Sequence, residues 1–186
     1  MTVIAMDADT ALAFSAARML AVEQAPYLAA ALFSVSPVAS PGLGTFAVDA
    51  RWRLYMDPDR FATWTPSQAA AVLIHEIGHL VRAHAGRAKS AGVDDHRRWN
   101  YAADAELNDD LIEAGTDLPP GCVTPQSLDC QPGGLAETYY ASIAPPPPPS
   151  GNAAGDGTCG SGAGGPPRPW VVAAGTGGDH GGGLDA

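Results

Sequence analysis

"AAAVLIHEIGHLVRAH", Ala69 to His84, is the stretch on which the fold of this 186-residue chain turns. Ala71, Val72, Leu73 and Ile74 lead into it, and Leu80 and Val81 follow its polar centre. A helix so apolar around its circumference belongs inside a protein. Just upstream, Thr65-Pro66-Ser67-Gln68 offers an N-cap, a proline at the first helical position and a capping-box glutamine. The pattern predicts a helix from Pro66 to about Ala85, stopped by Gly86.

Its centre, His75-Glu76-Ile77-Gly78-His79, reads H-E-x-x-H. A helix turns about 100° per residue, so the two histidines differ by about 40° and project from one face, one turn apart. Their imidazoles can reach one zinc ion at about 2.0–2.1 Å. Glu76 lies beside that face, placed as general base toward water rather than as a ligand. Burying His, Glu and His together is costly unless something neutralises them, and a metal ion does so. Gly78 lowers helix propensity by about 1 kcal/mol at mid-helix; close backbone packing would explain it.

A third ligand must come from elsewhere. His84 falls about 180° around the helix from His75, which places it on the wrong side if the helix continues. The next strong helical pattern, "RWNYAADAELNDDLIEAG" (Arg98–Gly115), holds Asp104, Glu106, Asp109 and Asp110. Asn100, Asp104, Asn108 and Leu111 share one face, bordered by Ala103 and Leu107, so that face points inward. Asp104 is the expected third ligand, with Asn100 and Asn108 hydrogen-bonding around the site. Glu106 is the second choice. A competing role for Asp104 is an N-cap or an ion pair with Arg97 or Arg98. Asp109, Asp110 and Glu113 fit a solvated face.

Around these helices the pattern predicts a helix from Asp9 or Thr10 to about Gln24, with Leu12, Ala16, Met19, Leu20 and Glu23 near helical spacing. "YLAAALFSVSPV" (Tyr27–Val38) reads as a strand over its second half, and "GTFAVDARWRLYMDP" (Gly44–Pro58) as a β-hairpin. "LAETYYASI" (Leu135–Ile143) reads as a last short helix. "GTDLPPG" from Gly115 reads as a helix C-cap and turn. The expected architecture is α+β: a small twisted sheet packed on the H-E-x-x-H helix and a following ligand helix, over residues 1–144. If the strand Arg51–Met56 is an edge, an extended peptide could add to it.

From Pro145 the chain is dominated by Gly and Pro, a composition that buries too little apolar surface to offset its ordering entropy. Residues 145–186 are expected to be a linker or tail. Cys159, within it, could serve as an inhibitory thiolate ligand at the metal. Cys122 and Cys130 flank a loop and are expected to be reduced. The formal net charge of −10 argues against nucleic acid and anionic membranes. The longest apolar run is well short of the ~20 residues of a spanning helix, and the N-terminus lacks a basic signal region. A cytoplasmic location is the expectation.

"HEIGHLVRAH" (His75–His84), a variable stretch, then "WNYAADAELND" (Trp99–Asp109) resembles the bacterial metallopeptidase domains found N-terminal to VWA-like domains. That family's pattern is H-E-x-x-H, a histidine five residues on, then W-N-x-A-x-D-x-x-x-N. His75, Glu76, His79, His84, Trp99, Asn100, Ala102, Asp104 and Asn108 match it. The hairpin, "TPQSL" (Thr124–Leu128) and "CGSGAGGPPRPW" (Cys159–Trp170) are similar to family segments as well. The resemblance implies a zincin-like fold, Zn2+ on His75, His79 and Asp104, hydrolysis of peptide bonds, and association with an AAA+ ATPase or VWA-like partner. The rival expectation is a non-catalytic zinc-binding module that docks such a partner. Tyr101, Tyr139, Tyr140 and His84 are the candidates for stabilising an oxyanion.

Overall fold

The structure is a computed structural model that describes residues 6–144. The tail expected from Pro145 onward, including Cys159, lies outside the described residues. In chain order the elements are α1 (Ala8–Gln24), α2 (Ala29–Ser34), β1 (Ser36–Ala39), β2 (Phe46–Val48), β3 (Arg53–Met56), α3 (Pro58–Phe61), α4 (Pro66–Val81), α5 (His84–Ser90), α6 (His96–Glu113) and α7 (Ala136–Ser142). The architecture is α+β, rich in helix, with one small mixed sheet.

The expected hairpin forms. β2 and β3 pair antiparallel, Phe46 opposite Met56 and Val48 opposite Leu54. Asp49 organises its turn, accepting from the Arg51 and Arg53 amides, the Arg53 guanidinium and the Tyr55 hydroxyl. β1 then pairs parallel with β3, from Ser36–Arg53 to Ala39–Met56. The sheet order β1-β3-β2 makes β3 the central strand. This corrects the expectation that Arg51–Met56 could be an edge open to an added peptide: both sides of β3 already carry ladders. Phe33 also departs from expectation, because it closes out α2 and is exposed, leaving the strand to begin at Ser36.

α1 is capped earlier than expected. Asp7 accepts from the Thr10 amide at 2.8 Å and from its hydroxyl at 2.6 Å. The buried face carries Phe14, Ala17 and Ala21, whereas Leu12 and Met19 are exposed. Small alanines let α1 lie close along α4, and that contact overrides the bulkier stripe suggested by spacing. One core joins α1, α2, the sheet and the first half of α4, through Phe14, Leu32, Phe46, Leu54, Leu73 and Ile77 among others. A second joins α5, α6 and α7 through Ala88, Trp99, Ala102, Ala105 and Tyr139. The polar centre of α4 faces α6 between them.

Candidate metal centre

α4 starts as its sequence dictates. Thr65 Oγ1 accepts from the Gln68 amide and Gln68 Oε1 accepts from the Thr65 amide, each at 3.2 Å, with Pro66 at the first helical position. Four turns then carry His75, Glu76 and His79 into the interior, all three buried. Gly78 faces α6. A Cβ built there would stand 2.5 Å from Leu107 Cδ2, so the missing side chain lets the two helices approach. α6 is capped by Asp95, whose carboxylate accepts from the Arg98 amide at 3.0 Å. It ends in a Schellman turn at Gly115, with Thr116 N bonded to Leu111 O and Gly115 N to Ile112 O.

The close helix pair brings together the three residues expected to ligate metal. His75 Nε2 lies 3.0 Å from His79 Nε2. Asp104 Oδ1 lies 3.6 Å from the first and 3.2 Å from the second. Together they form a buried group of donors able to hold a metal ion. Bond lengths of about 2.0–2.1 Å at tetrahedral angles put ligand atoms about 3.3 Å apart, and the three separations bracket that value. Two imidazole nitrogens and one carboxylate oxygen are also a donor set suited to zinc-like ions.

The hydrogen bonds behind the donors set where their protons lie. Asn108 Nδ2 donates to the Val123 carbonyl at 2.8 Å, which turns Oδ1 toward His75 Nδ1, also 2.8 Å away. Since Oδ1 only accepts, neutral His75 holds its proton on Nδ1 and leaves Nε2 as a lone pair facing the cluster. Burial pushes the His79 pKa down to about 4, so this imidazole is neutral at physiological pH. Burial alone would raise Asp104, but hydrogen bonds and positive charge from His75 and His79, when their Nε2 atoms carry protons, hold it well below the usual carboxylate range, and a metal ion would take the place of those protons. Glu76 is 2% exposed; burial disfavours charge on His75, but Asp104, Glu76 and Asn108 together raise its pKa above the ordinary value, so without metal His75 competes for a proton. The arrangement is an anionic oxygen and two imidazole nitrogens converging on one point, with a second buried carboxylate alongside.

The helix does not continue to Ala85, and this corrects the placement of His84. α4 stops at Val81. Ala83 adopts the left-handed conformation at φ 52°, and α5 begins at His84. For a residue with a Cβ that conformation costs about 1–2 kcal/mol. The turn swings His84 back toward the cluster, fully buried, with Nδ1 2.9 Å from His79 Nδ1. Gly86 lies within α5 rather than stopping a helix.

Glu106, the alternative ligand, is not part of the donor group. It sits two residues beyond Asp104, about 160° around α6, and turns to α5 and α7. Its carboxylate accepts from Arg82 Nη1 at 3.0 Å, Arg87 Nη1 and Nη2 at 3.0 and 2.8 Å, the Ala136 amide at 2.6 Å, and His84 Nε2 at 3.4 Å. Arg87 also pairs with Glu137, and Arg82 with Asp110. Asn100 is buried on α6 as expected. Asp109 is not merely solvated, since it accepts from the Gly133 amide. Of the oxyanion candidates, Tyr139 and Tyr140 already serve structure. Tyr139 OH contacts Gly134 N and Gln131 O, and Tyr140 OH donates to Asp94. Cys122 and Cys130 are free thiols.

A buried His-His-Asp group on two packed helices, with a glutamate beside it, defines a domain with a candidate metal centre. The family model described as "Putative metallopeptidase domain" matches residues 10–180, and the chain belongs to that family. No curated protein and no solved structure matches it. No helix among the described residues is long and apolar enough to cross a membrane.

Proposed function

We propose that this chain is a zinc-dependent metallopeptidase of zincin-like fold, with zinc on His75, His79 and Asp104 and Glu76 as general base. The observation that carries the reading is a three-donor cluster with a buried carboxylate one residue from the first ligand. Three protein donors, rather than the four of a structural zinc, leave room for water or substrate. When bound, zinc would supply Lewis acidity, acidifying a water and polarising the scissile carbonyl. His75 and His79 present Nε2 from successive turns of α4, and Asp104 closes the third side from α6. Asn108 holds the His75 ring in orientation. Glu76 takes the proton of the attacking water on its carboxylate and hands it to the departing amine. The buried surroundings keep competing water away from that transfer.

The test is a broad peptide library offered to the zinc-loaded full chain and to Glu76→Gln. The variant should keep its zinc and lose turnover by about 10²–10⁴-fold. Equal turnover in the variant would remove Glu76 from the reaction. A loaded wild type that cleaves nothing would favour the rival role, a zinc module that docks an AAA+ ATPase or VWA-like partner.

A further inference from the structure

His84 and Glu106 ligate nothing in the scheme above, yet both are buried and both are linked to His79. We propose that His84 is a positioning residue that fixes His79 in the tautomer protonated at Nδ1, leaving Nε2 as a lone pair for the metal. This role rests on His75, His79 and Asp104 being a metal centre.

The inference follows from the direction of each hydrogen bond. An ionised carboxylate can only accept. Glu106 is surrounded by N–H groups from Arg82, Arg87 and Ala136, and His84 Nε2 is the remaining nitrogen turned to it, at 3.4 Å. Neutral His84 therefore carries its proton on Nε2 and leaves Nδ1 as a lone pair. That lone pair lies 2.9 Å from His79 Nδ1. An N···N contact so short needs a bridging hydrogen or a shared metal ion; the donor group that could share a metal has His75 Nε2 and His79 Nε2 3.0 Å apart and does not include His84, so the bridge here is a hydrogen, which His79 must provide. The proton on His79 Nδ1 then leaves Nε2 bare, facing His75 Nε2 and Asp104 Oδ1. Glu106 thus acts on the metal site through His84 without touching it.

The backbone supports the same reading. Ala83 holds a left-handed turn without being glycine, and that turn is what returns His84 to the back of His79. Metal-bound histidines ordinarily donate their second nitrogen to a carboxylate, a carbonyl or water. Here a second imidazole takes that place, with a carboxylate behind it. Asn108 does for His75 what His84 does for His79.

Two measurements on the full chain test this. In wild type with ¹⁵N-labelled histidine, two-bond ¹⁵N–¹H correlation spectra should show His79 protonated at Nδ1, with Nε2 the nitrogen that shifts on adding Zn2+. Chelator competition should show zinc held about 10–100-fold more weakly by His84→Leu. His84→Gln, whose amide can accept from His79 and donate to Glu106, should recover most of that loss. A His79 protonated at Nε2 in wild type would overturn the role, and that spectrum needs no variant to fold. Zinc affinity unchanged in His84→Leu would overturn it while leaving the metal centre intact. A wild type that takes up no zinc would overturn the metal centre itself.

Discussion

Asp104 and Glu106 are two buried acids two residues apart on α6, and the helix turns them to opposite neighbourhoods. Glu106 meets hydrogen-bond donors: two guanidiniums, a backbone amide and an imidazole N–H. Asp104 meets Nε2 of His75 and Nε2 of His79. An acid whose acceptors are filled by donors ties helices together. An acid that converges with two imidazole nitrogens on one point is placed to share a cation with them. The difference lies in what each acid faces, and it divides one helix between structure and chemistry.

The comparison breaks most visibly by deleting each acid in turn. Asp104→Ala should lower zinc affinity by on the order of a thousandfold or more, in keeping with the large share each ligand has in zinc binding. Its melting temperature without metal should stay near wild type. Chelator competition and calorimetry on one preparation read both. Glu106→Ala should do the reverse, leaving Arg82 and Arg87 beside an emptied partner site. It should cost about 3 kcal/mol, or roughly 10 °C in melting temperature for a domain of this size, with a smaller effect on zinc.

Acid sharpens the same contrast. Burial opposes ionisation of Glu106, but His84, Arg87 and the Ala136 amide hold its pKa below the ordinary value. Because the folded pKa is the lower one, its stabilisation is complete above the unfolded value of about 4.3 and is lost as pH falls further. His79, held neutral by burial with a pKa of about 4, should already erode stability below about pH 6.5, and denaturant melts of metal-free chain should decline more steeply below about pH 4. Glu106→Ala should reduce that decline.

Smaller effects test how the helices are brought together. Gly78→Val should drive side-chain atoms into Leu107, costing about 1–3 kcal/mol by overpacking. It should also weaken zinc binding by moving α6 away from α4. Ala83→Gly relieves the left-handed strain but loosens the unfolded chain, so the net change should be a stabilisation of less than about 1 kcal/mol. Urea titration resolves both.

The parts governed by local rules were open to sequence reading. Thr65-Pro66-Ser67-Gln68 fixed the start of α4, alternation in Phe46–Met56 marked the hairpin, and the spacing of His75, His79, Asp104 and Asn108 grouped residues the structure brings together. What escaped was set by tertiary contact. Ala83 and Ala85 are good helix formers, so nothing local announces a left-handed residue after Val81, and an unbroken helix would carry His84 to the far side. Its place in the family pattern was the available signal. Glu106 escaped because both faces of α6 are buried, which spacing alone cannot reveal. The buried face of α1 is hidden for a related reason: packing against α4 favours Phe14, Ala17 and Ala21 over Leu12 and Met19.

Diffraction at the zinc absorption edge from crystals of the zinc-loaded chain tests the central claim most directly. The account predicts one anomalous peak per chain, bonded to His75 Nε2, His79 Nε2 and an Asp104 oxygen, with Glu76 close by but not coordinated. A zinc ion held without Asp104, or bound only at other residues, would contradict it.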